Sequence, residues 1–263
     1  MIINPYVFGV NVDPDAQAFI TAAGLTNPTQ QSAINTLVLS LKANNIWQKF
    51  KAIYPFVGGT ATTHKFNLIN PADTNAAFRL VFSGGWTHSA NGAAPNGVNA
   101  YADTFLTPNT SLSQNSSHVS YYSRTQSNGT EIEIGSSTGI NAGDPRTLLE
   151  IRTSGITYYA VNSQGFYISF SDTDSRAFYI GNRTGANVVN GWRNSTKTAT
   201  GTTASFGLST KTFWLAALNS GGAALYSTKQ CAFASIGDGL TDTDAANFYT
   251  AVQAFNTTLA RQV

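Results

Sequence analysis

The chain has 263 residues, of which 42% are hydrophobic, 12% aromatic and only 11% charged, with a formal net charge of +2. An average globular chain carries about 25% charged residues, so hydroxyls and amides must wet this surface, and the aromatic content excludes a disordered chain. The 15 basic residues form no cluster of the kind nucleic acid requires, no window approaches the ~20 apolar residues of a membrane span, and the single cysteine, Cys231, excludes an intrachain disulfide and a cysteine-based zinc site.

Residues 1–12 are short and apolar, with Val7, Val10 and Val12, and read as an edge strand or a docking arm. They lack a basic stretch followed by an apolar run, so no export signal is expected. In "DPDAQAFITAAGL", Asp13 suits a helix cap, Pro14 the first helical position and Gly24 the closing turn. A stronger helix follows from Asn27 as cap and Pro28 as first residue, with Ile34, Leu37, Val38 and Leu41 on one stripe and Asn44-Asn45 at its end. "IWQKFKAIYPF" reads as a short helical or irregular connector, with Trp47, Phe50 and Tyr54 to bury and Pro55 as its stop. Residues 1–58 are therefore expected to form an N-terminal arm and helical lead-in.

From Thr60 the hydrophobic period changes to two. "HKFNL", "FRLVFSG", "HVSYYSRT", "TEIEIGSS", "TLLEIRTSG", "TYYAVNS", "FYISFSD", "AFYIGNRT", "FWLAALN", "AALYST" and "QCAFASIG" are short segments separated by Gly, Asn, Asp, Ser or Thr. Their spacing leaves no room for crossover helices, so an antiparallel sandwich or barrel is expected over 59–263. Asn128-Gly129 is a hairpin signal. Cys231 alternates with Phe233 and reads as a small buried residue, and Thr87–Asn115 and Gly185–Ala204 read as long polar loops. A closing helix is expected over 241–260. Thr241 caps it, Asp244 completes a capping box, and Phe248, Val252, Phe255 and Leu259 form its apolar stripe. The fold class is mainly β: an antiparallel sandwich with an N-terminal helical lead-in and a C-terminal helix laid across it.

The stretch "CAFASIGDGLTDTDAANFYTAVQAFNTTLARQV" resembles the C-terminal end of concanavalin A-like (laminin-G-like) jelly-roll domains, in particular those of tailed-phage structural proteins. "DPDAQAFITAAGLTNPTQQSAINTLVLSLKANNIWQKFKAIYPFVGGTATTHKFNL" is similar to the helical lead-in that precedes this domain in phage tail and appendage proteins, and "GGWTHSANGAAPNGVNAYADTFLTP" and "SSHVSYYSRT" fit the same set. The resemblance covers the chain from about residue 13 onward. It implies a two-sheet jelly roll with a structural or host-recognition role.

Glycosidases also use that scaffold, with paired carboxylates on one strand face. Here "TEIEIGSS" offers Glu131 and Glu133, without a further acid downstream, and the third glutamate, Glu150, lies in another strand. An exposed hairpin face accounts for this pair equally well, so no catalytic residue and no enzymatic activity is expected. His64 and His118 read as structural, and His88, at the mouth of a long loop, as a ligand candidate. The resemblance makes calcium possible, with Asp172 and Asp174 in "SDTDS" as candidate ligands and Asn141 and Asp144 in "NAGD" as weaker ones, although turn-capping explains such acids as well. No other cofactor is expected.

Sugar binding needs an aromatic face beside amides. Two places supply that mixture: Trp86, His88, Asn91, Asn96 and Tyr101 in the first long loop, and Trp192, Arg193 and Asn194 in "NGWRNST". Packing of Trp86 and Trp192 in the interior competes with this reading, and Trp214 reads as core. The expected function is that of a bacteriophage virion structural protein, a tail, fibre or appendage component recognising host surface glycan. The alternative is a carbohydrate-active enzyme or free lectin on the same scaffold. Expected partners are other virion proteins, copies of itself and host surface polysaccharide, with no nucleic acid and no membrane insertion, and the expected location is the virion, after synthesis in the host cytoplasm without a signal peptide.

Overall fold

The computed structural model describes residues 12–165 and 167–263. The arm expected over residues 1–12 lies, apart from Val12, outside the described residues.

Helix α1 (Pro14–Ala22) opens with the Asp13 side chain accepting from the Asp15 N–H and is followed by Gly24 at φ 62°. Helix α2 (Pro28–Ala43) opens with the Asn27 side chain accepting from the N–H groups of Thr29 and Gln30. Two single-turn helices follow, α3 (Ala61–His64) and α4 (Pro108–Ser111). The last helix, α5 (Asp242–Thr258), carries the expected box: Asp244 N–H donates to the Thr241 hydroxyl, and Thr241 N–H to the Asp244 carboxylate. The stripes of α2 and α5 belong to one core: Ile34, Leu37, Val38 and Leu41 with Phe248, Val252 and Phe255, while Leu259 is partly buried against it.

Strands are numbered along the chain. The first sheet runs β13 (Thr196–Gly201), β12 (Val188–Arg193), β11 (Ala177–Gly185), β6 (Ser117–Ser123), β17 (Cys231–Gly237), β4 (Gly92–Pro95), β3 (Trp86–Ser89), with β1 (Phe50–Tyr54) also paired to β17. The second runs β10 (Ile168–Ser171), β9 (Ile156–Gln164), β8 (Pro145–Thr153), β7 (Ile134–Ser137), β14 (Trp214–Leu215), β5 (Tyr101–Asp103), β2 (Val81–Ser83). The short β15 (Leu218–Asn219) and β16 (Ala223–Ala224) join it, and β15 beside β7 is the parallel exception among otherwise antiparallel pairs in the described residues.

The first sheet is the middle of three layers. Strands β6, β11 and β17 are buried on both faces over nearly their whole length. One face presents Tyr122, Phe178, Ile180, Trp192 and Phe233 to α1, α2 and α5. The other presents Val119, Tyr121, Tyr179, Cys231 and Ile236 to Leu149, Ile151, Tyr159 and Leu215 of the second sheet. A register shift between Cys231 and Phe233 makes this possible. The bulge sends Cys231 to the inter-sheet core and Phe233 to the helix core, so the two do not share a face as simple alternation predicts. The Phe248 ring lies 4.8 to 5.9 Å from those of Phe50, Phe178 and Phe233. On the inter-sheet side, a Cβ at Gly191 would fall 2.4 Å from the Tyr159 ring and one at Gly181 2.8 Å from Leu149, so these positions admit the tyrosine only as glycines.

Several expectations are corrected. Residues 50–54 form a strand rather than a connector. Its residues split between both cores, which erases the alternation that marks a half-buried strand. The segment 64–68 is not a strand. Thr60 and Thr63 cap a helical turn, and the buried Asn67 side chain replaces a strand partner, accepting from Ile53 and Ile69 N–H and donating to the Lys51 and Ala77 carbonyls. Asn128-Gly129 makes no hairpin, because residues 124–133 pass from the first sheet to the second. The tight turn instead joins β8 to β9 at Ser154-Gly155, with φ of 51° and 78°. The two supposed long loops contain β3, β4, β5 and α4, and the β12–β13 hairpin, whose Gly, Ala, Asn and Thr residues show no hydrophobic period.

Phe248→Ala is expected to lower stability by about 3–5 kcal/mol through the cavity it leaves, and Gly191→Ala by about 1–3 kcal/mol through overpacking on Tyr159. Urea unfolding monitored by tryptophan fluorescence checks both.

Candidate functional site

The chain leaves edge strand β2 of the second sheet and enters edge strand β3 of the first through Gly84-Gly85. Gly84 has φ +76°, and a Cβ there would lie 2.1 Å from the Asn99 carbonyl, so the crossing requires glycine. This step between sheets sets Phe82, Trp86 and His88 on one flank of the sandwich. Phe82 meets Trp86 edge-on at 5.3 Å and His88 at 4.6 Å, while Trp86 and His88 stack at 6.2 Å. All three are half-buried. The Trp86 indole N–H donates to the carbonyls of Ser83 (3.0 Å) and Tyr101 (3.2 Å), which fixes the ring and satisfies its only polar atom.

Asn96 Oδ1 accepts from the N–H groups of Val98, Asn99 and Ala100, and Asn96 Nδ2 donates to Asn99 Oδ1, which also accepts from Gly85 N–H. Asn96 therefore builds the loop over the crossing and has little left for a ligand. Asn91 is exposed in the β3–β4 turn. Tyr101 stacks on Trp214 at 4.0 Å, and Trp214 is half-buried rather than core.

Phe82 and His64 join this ledge without having been expected there. His64 is buried, with its Nε2 accepting from Gly59 N–H (3.2 Å) and its Nδ1 2.9 Å from His88 Nδ1. The Gly59 donor places the His64 proton on Nδ1. His88 then accepts on Nδ1 and carries its proton on Nε2, which has no protein hydrogen-bond partner among the described residues. Burial pushes His64 down to about 3, assisted by the charges of His88 and Arg261, and burial also lowers His88. Both imidazoles are neutral at neutral pH. Beside Phe82, Lys65 and Arg79 line a shallow recess and share Asp73 at 2.5 and 2.7 Å, so two cations face one carboxylate. No sequence pattern announces His64 or Phe82, since their roles arise from a helical turn and an edge strand meeting in space.

The second expected place is a closed corner. Trp192 is 3% exposed, in the helix-side core with the Lys197 ammonium 5.3 Å above its ring, because β12 turns that face toward the helices. Its ring is not free to stack on a sugar. Asn194 has φ 55° and accepts the Phe178 N–H. Arg193 lies 3.5 Å from the Asp172 carboxylate and donates to the Asp174 carbonyl. Asp172, itself buried, also accepts from Thr157 and Tyr179 hydroxyls and the Asp174 N–H, and Asp174 pairs with Arg176. The expected metal pair and the expected sugar-binding arginine thus engage each other. Asp144 accepts the Asn141 N–H in a turn. Among the described residues no three His, Cys, Asp or Glu side chains converge as a metal site.

Glu131 and Glu133 are buried rather than on an exposed hairpin face. The fully buried Lys229 ammonium lies 3.0 Å from one and 3.2 Å from the other. Glu133 also accepts from Ile151 N–H and the Ser227 hydroxyl, and Glu131 from Thr228. Burial pushes Glu133 up to about 7. Burial raises Glu131 as well, but the Thr228 hydrogen bonds and the Lys229 charge outweigh it and hold that carboxyl low.

No protein-family model matches the chain, and no curated protein matches it in sequence. Solved structures match it in shape. A Trypanosoma rangeli sialidase in complex with sialic acid superposes with a TM-score of 0.54 at 10% identity, over 82% of this chain and 38% of that one. A mutant of that sialidase displaying trans-sialidase activity gives 0.54 at 10% identity, over 86% and 39%. The likeness is one of fold. It agrees with the two-sheet sandwich, and this chain spans about two fifths of the sialidase chains' length.

Two acid–base predictions follow from the buried groups. His118 donates from Nδ1 to the Asp238 carbonyl and accepts the Ser235 hydroxyl, and burial holds it at about 4. The unfolded chain takes protons at His64 and His118 near pH 6.5, whereas the folded chain does not, so these groups add stability that is present above about 6.5 and lost as pH falls toward 4. Glu133 works oppositely, stabilising at low pH and losing its contribution as pH rises through about 7. With His64, His88 and His118 all lowered and one carboxyl, Glu133, raised, the melting temperature is expected to fall from pH 6.5 to 4, with a shallower slope in His118→Asn. Lys229→Met leaves two buried carboxyls unpaired and is expected to cost about 3–5 kcal/mol at pH 7.5, with a smaller loss at pH 5, read by urea unfolding at the two pH values.

Proposed function

We propose that this chain is a non-enzymatic virion component, part of a phage tail, fibre or appendage, whose sandwich recognises host surface glycan through the Phe82–Trp86–His88 ledge. The observation that carries the glycan reading is the half-exposed aromatic group itself, anchored through Trp86 Nε1 and flanked by an unshared His88 N–H, Lys65 and Arg79. Aromatic faces cover the C–H side of a pyranose ring, and the flanking donors take its hydroxyl or acidic oxygens. The excess of cations over carboxylates at the rim favours acidic sugars. The virion reading is supported by the resemblance of the lead-in and closing helix to phage structural proteins and by the sparse surface charge, which suits close packing with neighbouring subunits. Engagement of Glu131 and Glu133 with Lys229 supports a binding role over hydrolysis.

A glycan array followed by titration calorimetry tests the site. Trp86→Ala is expected to weaken binding at least about tenfold, or about 1.4 kcal/mol, while Asp174→Asn in the opposite corner leaves affinity unchanged. Absence of any glycan ligand, or equal binding by Trp86→Ala, overturns the site. Product release from the bound glycan overturns the non-enzymatic part, and absence of the chain from purified particles by mass spectrometry overturns the virion part.

A further inference from the structure

The outer face of the second sheet, turned away from the first, carries a separate apolar cluster of Ile132, Leu148, Ala160 and Leu218. It floors a recess of about 220 Å³ between β8 and the segment around β15 and β16. Ile140, 82% exposed, and Leu225, 42% exposed, stand on its rim. These two and Tyr167 are three of the nine exposed large hydrophobics among the described residues, and all three line this recess. Apolar exposure concentrated this way marks a contact surface rather than chance.

The charges beside the recess say what covers it. Arg146 and Glu150 lie on β8 at i and i+4 with Leu148 between them, so they share a face about 13 Å apart. The Glu150 side chain makes no hydrogen bond or ion pair among the described residues, although its backbone lies in the β8–β9 ladder. Arg146 donates to the Asn141 and Asp144 carbonyls and the Tyr167 hydroxyl, so no carboxylate neutralises it. A two-fold axis over Leu148, itself only 2% exposed, would bring Arg146 of each copy over Glu150 of the other, with the exposed Ile140 of each reaching toward the recess of its partner. An isologous contact pairs one patch with itself, and a cation and an anion on either side of an apolar centre are self-complementary in that way.

We infer that this face joins two copies of the chain as an isologous dimer. The contact surface is small: β8 and β9 have nine residues and are about 30 Å long, while β7 and β10 have four and are about 13 Å long, giving roughly 400 Å² per copy before the flanking loops are added, the size of a weak, concentration-dependent contact. A sugar fits less well, because the floor is aliphatic and the Tyr167 hydroxyl is already bound. The aromatic ledge lies at the far β2 edge of the same sheet, so the dimer leaves it open, and the inference does not rest on what the ledge binds.

Sedimentation equilibrium of the full chain from about 5 to 200 μM tests it. The expected result is a concentration-dependent dimer, monomeric throughout in Ile140→Asp, weakened at least about tenfold in Glu150→Arg, and unchanged in Trp86→Ala. Both substituted side chains are at the surface, and far-UV circular dichroism checks that each variant folds. A monomer at every concentration, a dimer indifferent to Ile140→Asp and Glu150→Arg, or a trimer overturns the inference. So does loss of glycan binding in Ile140→Asp without any change in mass, which assigns the recess to a ligand instead.

Discussion

The structure depends on burying one sheet from both sides. Strands β6, β11 and β17 cannot present a polar face to water, so they need a second sheet on one side and a helix layer on the other. Tyr122, Phe178 and Phe233 face Phe248 of the closing helix, and Tyr121 and Tyr179 face the second sheet. The terminal helix is thus the lid of a core. The lead-in helices belong to that same core, and β1 carries the lead-in directly into the sheet.

Burial on both faces traps polar groups, and the chain handles them in two ways. Where an amine is enclosed, acids accompany it, as with Lys229 between Glu131 and Glu133. Where a guanidinium is enclosed, backbone carbonyls do so. Arg261 donates to the carbonyls of Pro55, Phe56, Ala90 and Ala232, and Arg183 to those of Val161, Ala186 and Thr203. Arg261 ties the chain end to the close of β1, the β3–β4 turn and β17, and burial lowers it to about 9. Much of the small complement of charge is therefore structural, which leaves the surface to hydroxyls and amides. The aromatic ledge follows from the same architecture. It sits where the chain steps between the edges of the two sheets, a place where aromatics pack on the sandwich and still keep a face toward water.

Much of the candidate site was legible in part. Trp86 and His88 stood out because aromatic and imidazole residues in a Gly- and Asn-rich stretch have no periodic core role to fill. Phe82 and His64 were not legible, since one sits in an ordinary apolar run and the other is brought to His88 by the α3 turn. Trp192 misled for the reverse reason: "NGWRNST" reads as a loop, but Asn190 and Gly191 sit in strand β12, and the Tyr159 ring of the facing sheet fills the space a Cβ at Gly191 would take. Glu131 and Glu133 left a carboxylate pair and an exposed hairpin face both open, because Lys229, which is buried with them, lies about a hundred residues away along the chain.

Local sequence determined the three longer helices, α1, α2 and α5, and the mainly β class. Asp13, Asn27 and Thr241 cap with their own side chains, and a 3.6-residue stripe or a two-residue alternation depends only on neighbours along the chain. Tertiary structure decided the rest: β1, the hairpin in the supposed second loop, the separation of Cys231 from Phe233, and the convergence of Asp172 with Arg193. Each depends on which faces are enclosed and which distant strand is adjacent, and the free energy of those contacts arises only when segments far apart in the chain exclude water together.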